Sequence, residues 1–128
     1  MVGIVVVSHS QKLAEGVAEL AQAMARDVRI VPAGGLEDGS LGTSFQRIKS
    51  AIESVYSEDG VAIFMDMGSA VMTAEAVLEE MPERRIAMVD CPFVEGVILG
   101  AVEAAAGASL KTIKDRAEDA RFTRKLID

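Results

Sequence analysis

Four short apolar runs rich in β-branched residues alternate along this chain with segments whose apolar residues recur every three or four positions. The runs are Val2-Gly3-Ile4-Val5-Val6-Val7, Val28 to Val31 (stopped by Pro32), Val61 to Met65 and Ile86 to Val89. Runs this brief read as buried strands, and the segments between them read as helices. Strands joined through helices demand a parallel sheet with helical layers on both faces, because the crossover must return the chain to the same sheet edge. The expectation is therefore one α/β domain over residues 1–128. Its sheet is doubly wound and mostly parallel, with strand order beginning 2-1-3-4, the usual small arrangement.

The helical segments carry their own signals. Leu13, Val17, Leu20, Ala21 and Met24 are predicted to face inward from a first helix capped by Ser10. Phe45, Ile48, Ile52 and Val55 define a second helix. Val71, Ala74, Val77, Leu78 and Met81 define a third that stops at Pro82. Val94, Val97, Ile98, Ala101 and Val102 mark a largely buried fourth, ending near Gly107. A charged last helix is capped by Ser109 and presents Leu110, Ile113 and Ala117 inward.

Composition excludes several classes of function. Acidic residues outnumber basic ones 20 to 13, for a net charge of −7, which argues against nucleic acid or an anionic membrane as partner. No apolar stretch reaches the length of a membrane span, and the start lacks a secretory pattern, so a cytoplasmic protein is expected. The single cysteine, Cys91, fits a reducing compartment.

In the order 2-1-3-4 the loops after strands 1 and 3 flank one crevice, where ligands of open α/β sheets collect. Those loops contain His9, the one histidine of the chain, and Asp66. A carboxylate that accepts a hydrogen bond from Nδ1–H would fix the ring tautomer and leave the Nε2 lone pair free for attack on an electrophile. Gly68 and Ser69 open the third helix, and Ser10 and Gln11 open the first. Their amide N–H groups would offer an anion site in the same crevice. The glycine-rich loop Gly34 to Ser44 lacks nucleotide-binding signatures, yet Gly39, Gly42 and Thr43 could close over a bound phosphoryl group.

Cys91 invites a Cys/His hydrolase reading, although a small apolar filler is the commoner use of such a residue. The crevice loops have no Lys or Arg, and no second histidine exists for a metal site. Neither a metal nor a cofactor is expected. A nucleophile with dipoles around it, and no means of its own to drive transfer, is the profile of a phosphocarrier.

The segment Gly3 to Ser10, the loop Gly34 to Ser44, the turn Asp66-Met67-Gly68-Ser69-Ala70 and the run Cys91 to Gly96 resemble the phosphotransferase subunit of phosphoenolpyruvate-dependent dihydroxyacetone kinase. That subunit is a member of the mannose-type IIA family of the bacterial sugar phosphotransferase system, and the glycine-rich loop favours it over sugar-transporter IIA domains. The resemblance implies a homodimer whose histidine, His9 here, is transiently phosphorylated on Nε2. Asp66 takes the role of partner carboxylate and Ser69 that of phosphoryl contact. The implied donor is the small carrier HPr. The implied acceptor is ADP on the kinase's nucleotide-binding subunit, which in turn serves the dihydroxyacetone-binding subunit. An antiparallel edge strand near the end is a further feature of the family, with no clear counterpart in this sequence.

Overall fold

A computed structural model describes residues 1–127. The chain runs β1 (Gly3–Ser8), α1 (Gln11–Met24), β2 (Ile30–Gly34), α2 (Phe45–Val55), β3 (Val61–Met65), α3 (Gly68–Glu79), β4 (Ile86–Val89), α4 (Phe93–Ala105) and α5 (Leu110–Glu118), and a 3-10 turn covers Asp119–Phe122. The sheet is wholly parallel in the order β2-β1-β3-β4, as expected for strands separated by helices. Among the described residues no further strand joins it, and the elements after β4 are all helical.

β1 is buried along its whole length, which explains its unbroken apolar run. Alternate residues serve opposite layers. Ile4 and Val6, with Ala62 and Phe64 of β3, pack under α1, α4 and α5. Val5 and Val7, with Val61 and Ile63, pack under α2 and α3. Phe64 is the largest fully buried side chain, and its burial is worth about 1.5–3 kcal/mol.

Three expectations need correction. Pro32 does not end the second strand, since β2 continues to Gly34 and Pro32 pairs in register with Val6. β2 lies at the edge of the sheet, where a residue without an N–H costs no ladder bond on its open side. The inner face of α1 consists of Ala14, Val17, Ala18 and Ala21, whereas Leu13, Leu20 and Met24 are exposed. Small residues let α1 lie close on the sheet, which turns the longer side chains to its flank. Val94 and Val102 of α4 are likewise exposed, leaving Val97, Ala101 and Ala104 inside. No helix among the described residues is long and apolar enough to cross a membrane.

Gly34 fixes where α1 begins. A Cβ there would lie 2.5 Å from the Ser10 carbonyl oxygen and 2.7 Å from the Ala14 Cβ, so only glycine lets β2 pass the first turn of α1. Gly34→Ala is expected to lower unfolding stability by about 1–3 kcal/mol through this overpacking, read as a reduced urea midpoint. An unchanged midpoint would show that the helix can shift freely.

Candidate functional site

β1 and β3 are hydrogen-bonded neighbours with Val7 opposite Met65, so the next residues of both strands emerge side by side. The Asp66 N–H donates to the Val7 carbonyl at 3.2 Å, which aims the carboxylate at the turn after β1. That carboxylate organises the turn. Its Oδ2 accepts from the Ser8 hydroxyl at 2.9 Å and from the His9 amide at 3.0 Å. Its Oδ1 accepts from the Met67 amide at 2.7 Å and lies 2.9 Å from His9 Nδ1. Burial pushes the Asp66 carboxyl up, but the His9 amide, the Ser8 hydroxyl, the imidazole and the Met67 amide together hold it below the usual carboxylate range.

An ionised carboxylate only accepts, so Nδ1 carries the proton, and in the neutral ring Nε2 keeps its lone pair. The Ser69 hydroxyl donates to that Nε2. The imidazole is 25 % exposed and the Asp66 side chain only 7 %, so a visitor can reach the ring but not the carboxylate. His9 and Asp66 thus meet as the strand order required.

The other sequence-level candidates fall into two groups. Ser69 touches the ring directly, while Gly68 is the first residue of α3, whose cap residue Met67 supplies no side-chain bond. First-turn amides of a helix lack intrahelical acceptors, so this end of α3 presents N–H groups beside Nε2. Ser10 is occupied as a cap, accepting from the Leu13 amide at 3.1 Å. The Gln11 side chain bonds Glu15, leaving its backbone at the start of α1.

Thr43 is not among the hydrogen-bond partners of His9. Its hydroxyl lies 2.9 Å from that of Thr73, which donates to the Ser69 carbonyl at 2.9 Å. With the Thr73 proton committed there, Thr43 donates to Thr73, and the glycine-rich loop is tied to the second turn of α3. Gly42 makes a second tie, its N–H donating to the His9 carbonyl at 2.8 Å. The glycine-rich loop is therefore fastened to the site at two points.

Two participants escaped the sequence analysis. Ser8 is fully buried, and its hydroxyl both donates to Asp66 and accepts from the Ser10 amide at 3.0 Å. A hydroxyl closing an otherwise apolar strand was the available signal. Thr73 had none, since it resembles any helical threonine.

The surroundings of Cys91 disfavour its thiolate. Burial first, then Glu118 and Asp90, push its thiol up to about 12. Among the described residues no cluster of three His, Cys, Asp or Glu side chains could hold a metal ion.

The family model described as PTS system fructose IIA component matches residues 3–114. The chain therefore belongs to the mannose-type IIA family of the phosphotransferase system. Within that family its relatives are DhaM subunits. It is 37 % identical over 116 residues to the "PTS-dependent dihydroxyacetone kinase, phosphotransferase subunit DhaM" of Lactococcus lactis, covering 91 % of this chain and 93 % of the relative. It is 41 % identical over 119 residues to the "PEP-dependent dihydroxyacetone kinase 1, phosphoryl donor subunit DhaM" of Listeria innocua, covering 88 % and 94 %. A phosphotransferase system EIIA component from Streptococcus agalactiae shares the fold, with a TM-score of 0.73 at 13 % identity over 100 % of this chain and 97 % of the other.

The lowered Asp66 pKa sets a pH dependence. Stabilisation by the ionised carboxylate is complete above the ordinary aspartate value of about 3.9 and is lost as pH falls through the lower folded value. Asp66→Asn should be less stable than wild type at pH 7 by about 1–3 kcal/mol. In urea titrations the gap should narrow below about pH 4. A gap that stays constant to pH 2 would contradict the assignment. Cys91 should resist alkylation by iodoacetamide at pH 8 in the native protein and react readily in urea; rapid native alkylation would revive a thiolate chemistry.

Proposed function

We propose that this chain is the phosphoryl donor subunit of a phosphoenolpyruvate-dependent dihydroxyacetone kinase, and that His9 carries the phosphoryl group on Nε2. The observation that supports this most directly is the contact of His9 Nδ1 with Asp66 at 2.9 Å, with Nε2 facing Ser69. The two DhaM relatives described above, each matched over more than nine tenths of its length, support the reaction class.

In the proposed relay the Nε2 lone pair attacks the phosphorus of phospho-HPr. The P–N bond of the donor breaks as the new Nε2–P bond forms, and the electron pair returns to the donor's ring. The proton stays on Nδ1, donated in a hydrogen bond to Asp66, whose negative charge stabilises the positive charge that develops on the phosphorylated ring. Ser69 must release Nε2 for the attack, after which its hydroxyl is placed to donate to a phosphoryl oxygen. The first-turn amides of α3 and α1 offset the added charge of about −1.5 to −2. In the second transfer a terminal phosphate oxygen of ADP, held on the nucleotide-binding subunit, attacks phosphorus. The Nε2–P bond then breaks, ATP forms, and neutral His9 is regenerated. The kinase would spend that ATP on dihydroxyacetone.

Incubation with phosphoenolpyruvate, Enzyme I and HPr is expected to place an acid-labile, base-stable phosphoryl label on this chain. His9→Gln should abolish the label, and Asp66→Asn should slow its uptake at least tenfold. Undiminished labelling of His9→Gln would move the phosphoryl site elsewhere.

A further inference from the structure

Of the eleven glycines, nine are explained by the fold itself. Five have positive φ, and at four others a Cβ would drive into a neighbour, as at Gly96 against Cys91 and Gly100 against Phe64. Gly16 and Gly68 remain. Neither has a positive φ, and a Cβ on either would meet nothing within 4 Å beyond its chain neighbours and its own helix. Glycine weakens a helix relative to alanine, so both positions carry a cost that the folded chain does not account for. Gly16 lies in the second turn of α1 and is exposed. Gly68 is different in its surroundings. It is the first residue of α3 and precedes Ser69, whose hydroxyl donates to His9 Nε2.

We infer that Gly68 is a clearance residue: its missing side chain keeps open the space in which the oxygens of the transferring phosphoryl group turn over. The inference rests on the relay proposed above and goes beyond it by assigning a role to a position that has no side chain. The Cα–Cβ bonds of a helix tilt toward its N-terminus. A Cβ on the first residue of α3 would therefore project past the helix end, over the amides that open it, rather than down the flank. Those amides are free, since the cap residue Met67 makes no side-chain bond to them. A phosphorus bonded to Nε2 takes the place into which the Ser69 hydroxyl now donates, so its oxygens lie against this same helix end. Crowding is greatest during transfer, when entering and leaving groups stand in line and three oxygens spread around phosphorus between them. A methyl group at Gly68 stays more than 4 Å from the resting His9 ring, so it disturbs neither the imidazole nor its bond to Asp66. The conflict arises only when the phosphoryl group is present, and that is why the fold alone gives no reason for the glycine.

The test labels the full chain, Gly68→Ala and Gly68→Val with two donors, phospho-HPr and phosphoramidate, a small P–N compound that needs no docking surface. Gly68→Ala is expected to fold with a urea midpoint at or above that of wild type, because alanine suits a helix better. Its labelling rate at saturating phospho-HPr should fall at least tenfold, with the half-saturating concentration within twofold. Phosphoramidate labelling should slow by the same factor, and Gly68→Val should be slower still with both donors. Gly16→Ala, at the other glycine with open space around it, is the control. It should also keep or raise the midpoint, and should leave phosphoramidate labelling unchanged. Wild-type rates in Gly68→Ala with both donors overturn the clearance role while the relay stands. Slowing with phospho-HPr alone overturns it as well, since the gap would then serve contact between proteins. A lowered midpoint in Gly68→Ala would make the glycine structural. A wild-type chain that neither donor labels would remove the relay, and the clearance role with it.

Discussion

The carboxylate of Asp66 is the constraint on which the site depends. One side chain from the end of β3 takes hydrogen bonds from Ser8, the His9 backbone, the His9 ring and Met67. It therefore fixes the backbone of the turn as well as the tautomer of the ring. Two adjacent parallel strands deliver the donors and the acceptor to one place, so the accuracy of the site is inherited from the sheet rather than from a flexible loop. Burial that would ordinarily neutralise a carboxyl is overcome by these donors, and the group stays ionised where it must hold a proton on Nδ1.

Much of this was legible in the sequence because two separate periodicities agreed. Short apolar runs gave β1, β3 and β4 with little error: β1 and β3 are buried on both faces and almost wholly apolar, and the half-buried edge strand β4 has no polar residue to blur it. From the strand order alone His9 and Asp66 had to share a crevice. The failures have two physical sources. Apolar character marks what can be buried, but not which of several apolar residues wins the closest position. In α1 the alanines took it, because α1 lies tightly on β1 and β2, and the leucines were turned outward. Pro32 misled for a different reason, since its exclusion from sheets holds for central strands and β2 is an edge.

The candidate site was less legible than the fold. Residues that act through backbone bonds leave little trace: Gly42 holds the His9 carbonyl and Thr73 anchors Thr43, yet neither type announces the role. Ser8 shows the same difficulty, as a serine at a strand end has many uses. Only the folded chain shows that its hydroxyl is shared between Asp66 and the Ser10 amide.

The weakness of the anion site is itself suited to the proposed relay. A helix N-terminus favours a negative group by about 0.3–1 kcal/mol at an exposed position, and up to about 2 when partly buried. A hydrogen bond from a charged side chain is worth about 1.5–3 kcal/mol. A guanidinium clamp in this crevice would hold the phosphoryl group more firmly and so raise the barrier to the second transfer. In the turns after β1 and β3 the chain places only neutral donors around the ring: the Ser69 hydroxyl and the amides that open α1 and α3. Strong cationic stabilisation of the transition state is then left to each partner, where it acts only while that partner is bound. A carrier arranged in this way holds its cargo by covalent bonding and surrenders it when a better-charged surface arrives.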